Sequence, residues 1–136
     1  MDKALNYLGL ARKGGMAELG EEPVGAAARA GKAHLVLVAS DASDHTWRRS
    51  LSYVAGTDQQ CIRLPYTKDE LGFAIGRTSL AIAAITDVSL ALALASSLPQ
   101  LPQEAVAVLQ QKADKQKQRK KEVQAHKKNV RFGKKK

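Results

Sequence analysis

The run "HLVLVAS", residues 34–40, decides the fold class of this chain. A short, continuous apolar run that ends in polar turn residues is typical of a strand covered on both faces. The run "LAIAAI", residues 80–85, has the same character. Because both strands need helices above and below them, the pattern predicts a layered α/β domain with helix, sheet and helix.

The segments around these two runs alternate between helical and strand patterns. Helices are predicted over residues 2–12, 20–30, 44–55, 67–75 and 87–98, and strands over 16–19, 34–40, 61–65 and 80–85. Asp2, Asp44 and Asp87 are expected to cap their helices, and Gly31 to end the second one. Thr67 with Glu70 three residues later forms a capping box.

Two further expectations follow from the same patterns. In the third helix, Leu51, Val54 and Ala55 are expected to face the core. The Pro-punctuated stretch "SSLPQLPQ" separates the α/β domain, residues 1–98, from a linker or helix start, residues 99–111, and a polybasic tail, residues 112–136. After Leu109 the tail has no apolar face apart from Val123 and Ala125, so it is expected to be helical or disordered until a partner orders it.

Charge is distributed very unevenly along the chain. Residues 112–136 hold 12 of the 22 Lys/Arg and two of the 13 Asp/Glu, a net of +10. The other 111 residues carry 10 Lys/Arg against 11 Asp/Glu, a net of −1, and the two sums give the formal charge of +9. A like-charged run of this density is either a phosphate-binding element, with affinity that falls steeply with salt, or a solvated solubilising tail.

Signals of catalysis or metal binding are weak. Ser40, Asp41 and His45 are close in sequence, but no nucleophile-elbow pattern surrounds the serine. The three histidines lack metal-ligand spacing, and Cys61 is the only cysteine, so neither a disulfide nor a cysteine metal cluster can form within the chain. We therefore expect no enzymatic activity, no cofactor and no metal.

Two stretches, "LGLARKGGMAELGEEPVGAAARAGKAHLVLVASDAS" and "LGFAIGRTSLAIAAITD", resemble the ribosomal protein L-seven-Ae / L-thirty-e superfamily, and more closely its small bacterial members. The resemblance covers roughly residues 3–98. It implies a three-layer α/β/α sandwich with a small mixed sheet. It also implies binding of structured RNA, typically a kink-turn with sheared G·A pairs.

The resemblance also implies which residues bind RNA. The start of the second helix, which enters the RNA groove in the family, corresponds to Gly20, Glu21, Glu22 and Pro23, and the loop before the last strand, which caps a flipped-out nucleotide, to Arg77, Thr78, Ser79 and Leu80. Trp47 lies near the family's apolar wall for the flipped base. The remaining candidates come from charge and not from the resemblance, which does not include the tail. Arg12 and Lys13 are expected to reach phosphates beside the helix start. In the tail, the residues expected on phosphates are Lys117, Arg119, Lys120, Lys121, Lys127 and Lys128.

This chain departs from the family at the helix start. Archaeal and eukaryotic members carry Asn-Glu at the positions of Glu22 and Pro23, and a lysine one turn later, where this chain has Ala26. Lysine donates to guanine O6 and N7, which alanine cannot do, whereas Glu22 can accept from guanine N1–H and N2–H₂. Helix capping explains the two glutamates equally well, since the helix dipole favours acids at its start.

Structural roles also stay open for the other residues. Arg12 and Lys13 lie where a helix end favours cations, and Arg77 and Ser79 suit a solvated loop. Trp47 is either a core residue or an exposed stacking platform for an unpaired base.

Taken together, the sequence predicts a non-enzymatic RNA-binding protein, ribosome-associated and active in translation. The alternative is a protein-interaction or assembly module of the translation machinery. The start of the chain lacks the apolar run of a signal peptide, so we expect a cytoplasmic protein. We also expect a monomer without a membrane partner.

Overall fold

A computed structural model describes the backbone of residues 2–133 and the side chains of residues 2–120. Helices and strands alternate through most of the chain, as the sequence predicts. Their order is α1 (Lys3–Lys13), β1 (Ala17–Leu19), α2 (Glu21–Arg29), β2 (Leu35–Val38), α3 (Asp44–Val54), β3 (Gln60–Arg63), α4 (Lys68–Ala74), β4 (Ile82–Ile85), α5 (Val88–Ser96) and α6 (Gln103–Gly133).

The four strands form one mixed sheet in the order β1-β4-β2-β3. Strands β2 and β3 are parallel, whereas β4 runs antiparallel to both β1 and β2. We call the end where Val38 pairs with Ile82 the carboxyl end of the sheet, and the end where Leu35 pairs with Ile85 its amino end. The predicted α/β fold with a small mixed sheet is confirmed.

The alternation of side chains along the strands sorts the core into two halves. Leu35 and Leu37 of β2 face the layer of α1, α4, α5 and α6, and Val36 and Val38 face the layer of α2 and α3. All four β2 residues are buried because helices cover both faces. The continuous apolar run of residues 34–40 therefore contains a central strand between two helical layers.

Most of the predicted caps are present. Asp2 and Asp87 accept from backbone N–H groups in the first turns of α1 and α5, and Thr67 forms the complete capping box of α4. Asp44 was expected to cap α3, but Ser43 does so, because its Oγ accepts from the Thr46 N–H at 3.2 Å. Asp44 is instead the first helical residue.

The inward face of α3 differs from the prediction. Leu51 is 42% exposed and Ala55 lies at the surface, whereas Val54 packs partly against the core as expected. The buried α3 residues are the small polar Thr46 and Ser50. This choice of face brings α3 close to α2 and β3, where Thr46 and Ser50 bond to Glu21 and Cys61.

Residues 112–133 of the polybasic tail are helical, the first of the two conformations expected for it, and residues 134–136 lie outside the described residues. Ala105, Leu109 and Ala113, spaced four residues apart, are buried in α6, which packs mainly against α5. The packed core therefore continues beyond Leu98, the residue at which we expected the domain to end. None of the helices in the described part of the chain is long and apolar enough to cross a membrane.

Candidate nucleic-acid interface

The start of α2 lies at the carboxyl end of the sheet and has no side-chain cap. Gly20 precedes it with a φ of 99°, a conformation that favours glycine, and its N–H donates to the Ile82 carbonyl at 3.0 Å. Pro23 is the third residue of α2. Since proline has no N–H, the uncapped donors of this first turn are the amides of Glu21 and Glu22.

The two glutamates at this helix start have different surroundings. Glu21 accepts from the Thr46 hydroxyl at 3.0 Å and pairs with the Arg49 guanidinium at 3.4 Å, so it ties α2 to α3. Glu22 is exposed, and among the described side chains it makes no ion pair or hydrogen bond. Glu22 is therefore the carboxylate at this site whose oxygens are open to an external donor.

The loop between α4 and β4, residues 75–81, leads directly into Ile82 and so lies beside the start of α2. Its backbone is anchored on α4, because Arg77 N–H donates to the Gly72 carbonyl at 2.8 Å and Leu80 N–H to the Lys68 carbonyl at 2.9 Å. A Cβ at Gly72 would lie 2.6 Å from the backbone of Ser79, so only glycine permits this approach.

The side chains of this loop divide into two groups. Arg77, Thr78 and Ser79 are exposed, whereas Leu80 is 4% exposed and packs in the core. Leu80, which the resemblance implies in nucleotide capping, therefore presents no side chain at the surface. The loop offers one cation and two hydroxyls on a fixed backbone.

Trp47 lies between the core and the surface. It is half-buried and packs against the α2–α3 side of the core. The Arg63 guanidinium lies over its ring, with Cζ 4.7 Å from the ring centroid, a distance typical of a cation–π contact. One region of the indole therefore supports the core, and an arginine from β3 covers part of the ring.

Arg12 and Lys13 are not brought together with the start of α2. They end α1, which leads through Met16 to the amino end of the sheet, where Met16 bonds to Thr86 and Ala17 pairs with Ile85. Gly20 lies at the opposite end of β1, a strand of three residues. At about 3.3 Å per residue, β1 separates the two sites by about 10 Å.

The basic part of α6 also belongs to the amino end of the sheet. Lys112 Nζ lies 3.1 Å from Asp58 Oδ1 and 3.2 Å from His34 Nδ1, beyond the first residues of β3 and β2. Burial, and then the Lys112 charge, lower the pKa of His34. Past this contact the predicted phosphate-binding residues Lys117, Arg119 and Lys120 are exposed, while the side chains of Lys121, Lys127 and Lys128 lie outside the described residues.

Several residues that shape this interface were missed at the level of sequence. Thr46 and Arg49 hold Glu21, and Gly72 holds the loop. Thr46 and Arg49 are three residues apart on α3, a spacing that places them on one helix face, which is the signal that could have found them. For Gly72, the only signal in the sequence is its position in the stretch "LGFAIGR", residues 71–77.

Comparisons with known proteins place the fold. No family model matches the chain, and no curated protein sequence matches it either. A Bacillus halodurans protein of unknown function matches with a TM-score of 0.68 and 28% identity, over 74% of this chain and 100% of that one.

A 15.5 kDa RNA-binding protein from Giardia lamblia matches with a TM-score of 0.61 and 19% identity, over 75% of this chain and 87% of that one. The two proteins share a fold. At this identity the likeness concerns the architecture alone.

Proposed function

We propose that this protein binds structured RNA at the carboxyl end of its sheet and acts by binding rather than by catalysis. The proposal rests on one observation: the Gly20 N–H donates to the Ile82 carbonyl at 3.0 Å, and this hydrogen bond joins the start of α2 to the start of β4. It places the uncapped start of α2 beside the anchored loop that exposes Arg77, Thr78 and Ser79. An RNA-binding protein of the same fold, that of Giardia lamblia, supports the choice of ligand.

Each part of this surface suits a different part of an RNA bend. The free amides at the start of α2 suit a phosphate, because a helix start presents N–H groups and a partial positive charge. The open carboxylate of Glu22 suits guanine N1–H and N2–H₂, the edge that a sheared G·A pair exposes. Arg77 and the two hydroxyls suit the phosphates and riboses around an extruded nucleotide.

A kink-turn contains a phosphate at a sharp bend, the guanine edge of a sheared G·A pair and an extruded nucleotide. It is the RNA that we propose. Membership of the L-seven-Ae / L-thirty-e superfamily and association with the ribosome belong to the same proposal. The shared fold with the Giardia protein supports the first of these. The +10 net charge of residues 112–136 supports a site among densely packed phosphates such as those of ribosomal RNA.

The exposed cations of α6 serve a separate purpose in this proposal. They lie at the amino end of the sheet, so they contact phosphates distant from the bend instead of the bend itself. Such contacts add affinity without sequence information. The protein would therefore recognise one feature through a neutral domain and hold the flanking helix through α6.

The recognition half is tested with two RNAs that differ only in the bend. One contains a kink-turn with sheared G·A pairs, and the other has those pairs replaced by G·C pairs. We expect the wild-type protein to prefer the kink-turn and Glu22→Gln to lose about 1–3 kcal/mol of that preference, roughly 5- to 150-fold in the ratio of Kd values.

Glu104→Gln is the matched control, because Glu104 is also an exposed glutamate in the first turn of a helix. It should leave the ratio unchanged. Equal wild-type affinity for the two RNAs would refute kink-turn recognition. An unchanged ratio in Glu22→Gln, with recognition intact, would remove Glu22 from the site.

The phosphate half is tested by the salt dependence of binding. Replacing Lys117, Arg119 and Lys120 together by glutamine in the full chain should reduce the slope of log K against log salt. Each lost phosphate contact contributes about 0.7–0.9 to that slope, so a decrease of about 2–3 is expected. The preference for the kink-turn should persist, and a slope equal to that of the wild type would contradict the role of these cations.

A further inference from the structure

Strand β3 is the last strand of the sheet and has one free edge. The amides of Gln60 and Leu64 donate to His34 and Val38 at 3.1 and 2.7 Å, so the even-numbered residues bond to β2. Because backbone groups alternate in direction along a strand, Cys61 and Arg63 turn their N–H and C=O groups away from β2. This edge therefore presents a short row of backbone donors and acceptors.

A groove of about 650 Å³ runs beside this free edge. One wall is Trp47 together with Arg63, whose guanidinium lies 4.7 Å from the ring centroid. The other wall is the connection between α5 and α6, residues 97–102, which contributes Pro99, Pro102 and the side chain of Leu101, 48% exposed. The groove is thus cationic and aromatic on one side and apolar on the other.

We propose that this groove binds an extended segment of a partner protein, which adds to the sheet as a fifth strand beside β3. Side chains of an added strand point alternately to the two faces of the sheet. An acidic side chain on one face would meet Arg63, and apolar side chains on the other face would pack on Leu101 and the two prolines. The expected ligand is therefore a strand that alternates acidic and apolar residues.

The charge of the edge selects among the possible occupants. If a second copy paired antiparallel through the same edge, the two Arg63 side chains would lie on one face of the joined sheet and repel each other. An RNA strand would leave the outward amides and carbonyls of β3 without a matching row of backbone partners, and it would place phosphates against the apolar wall of Leu101. A peptide with carboxylates satisfies both the edge and Arg63.

The proposal is tested on the full chain with synthetic eight-residue peptides. The probe alternates glutamate and valine, a second peptide alternates lysine and valine, and a third repeats the probe with methylated backbone nitrogens. Hydrogen exchange of the Cys61 and Arg63 amides reports pairing at the edge. We expect the glutamate–valine peptide to slow exchange of both amides about tenfold or more at saturation, and the other two peptides to have no such effect.

Substitution of the cation provides a second test. Arg63→Glu should reverse the preference, so that the lysine–valine peptide protects the Cys61 amide and the glutamate–valine peptide does not. Arg29→Glu makes the same charge change at an exposed position near the end of α2 and should leave the preference unaltered. If the Arg63 variant does not fold, the three peptides on the wild-type protein still decide the matter.

Four results would overturn the proposal. The first is that the glutamate–valine peptide does not protect the Cys61 and Arg63 amides, and the second is that the lysine–valine or the methylated peptide protects them equally well. The third is that protection of these amides increases with protein concentration in the absence of peptide. The fourth is that a uridine octanucleotide protects them in place of the peptide. The third would assign the edge to a second copy and the fourth to RNA.

Discussion

Gln59 is a buried polar residue that joins the segment before β3 to the end of α2 and to the segment before β2. It is 3% exposed, and its side chain accepts from the Ala33 N–H at 2.9 Å and donates to the Ala28 carbonyl at 3.2 Å. Ala33 is fully buried, and Ala28 also accepts from the Gly31 N–H at 3.0 Å. Gln59 thus supplies the side-chain acceptor for a buried amide and a second donor for the Ala28 carbonyl.

The substitution Gln59→Met removes both of these bonds, and also the donation from Gln59 Nε2 to the Thr57 hydroxyl at 3.2 Å, while nearly conserving volume. An unpaired buried N–H at Ala33 costs about 1–3 kcal/mol, and the lost bond to Ala28 about 0.5–1.5 kcal/mol. We therefore expect the free energy of unfolding to decrease by about 1.5–4.5 kcal/mol. In urea, with a slope of about 2 kcal/mol/M, the midpoint should fall by about 0.75–2.25 M.

Gln60→Met is the matched control for this measurement. Gln60 is half-buried at the adjacent position, and the one hydrogen bond of its side chain among the described residues is the exposed donation from Nε2 to the Asp58 carbonyl at 3.2 Å. We expect its midpoint within about 0.25 M of the wild type, since surface changes stay within about 0.5 kcal/mol. A Gln59→Met midpoint in that same range would refute the reasoning, as would unchanged protection of the Ala33 amide in hydrogen exchange.

Three further predictions concern packing and pH. Gly72→Ala places a Cβ 2.6 Å from the backbone of Ser79, so the cost of overpacking, about 1–3 kcal/mol, should exceed the gain in helix propensity of about 1 kcal/mol. We expect the affinity for the kink-turn to decrease and the amide NMR signal of Ser79 to move. An unmoved Ser79 signal would contradict this prediction. Leu109→Ala, at a fully buried site, should cost about 2–5 kcal/mol in urea unfolding, and a loss below about 1 kcal/mol would show that α6 does not dock on α5. The folded state lowers the pKa of His34, so its contribution to stability is complete above pH 6.5 and is lost as the pH falls through the folded pKa. Thermal unfolding between pH 7 and pH 5 should therefore be less pH-dependent in His34→Asn than in the wild type, and equal profiles would exclude the histidine beside Lys112 as the cause.

The functional proposals differ in how they depend on each other. Loss of kink-turn preference would refute RNA recognition at α2 and leave the β3 groove untouched, since Glu22 and Arg63 lie on different elements. Peptide binding at β3 would in turn say nothing of the RNA site. The two proposals rest on different chemistry, guanine edges and phosphates in one and a strand edge in the other.

Local features of this chain were predictable because their causes lie within a few residues. Asp87 and the Thr67–Glu70 box begin helices through contacts no more than three residues apart. The run at residues 34–40 predicts a buried strand from hydrophobicity alone. The net charge of the tail follows directly from the number of its basic and acidic residues.

The site could be predicted only in part, because its geometry depends on contacts distant in sequence. The pairing of β1 with β4 separates Arg12 from the start of α2, and the contacts of Lys112 with Asp58 and His34 hold the basic part of α6 at the amino end of the sheet. Glu21 looks equivalent to Glu22 in sequence, but Thr46, 25 residues away, binds one and leaves the other open.

The sequence by itself determined the elements, the capping of most helices, the two-sided burial of the central strands and the concentration of positive charge near the carboxyl terminus. The tertiary structure alone decided that α6 docks through Ala105, Leu109 and Ala113, that Leu51 faces solvent, and that a free strand edge lies beside Trp47. The physical reason is the range of the interactions. Caps and apolar periodicity act over one helical turn or a few strand residues, whereas strand order and helix faces are chosen by contacts that join distant parts of the chain.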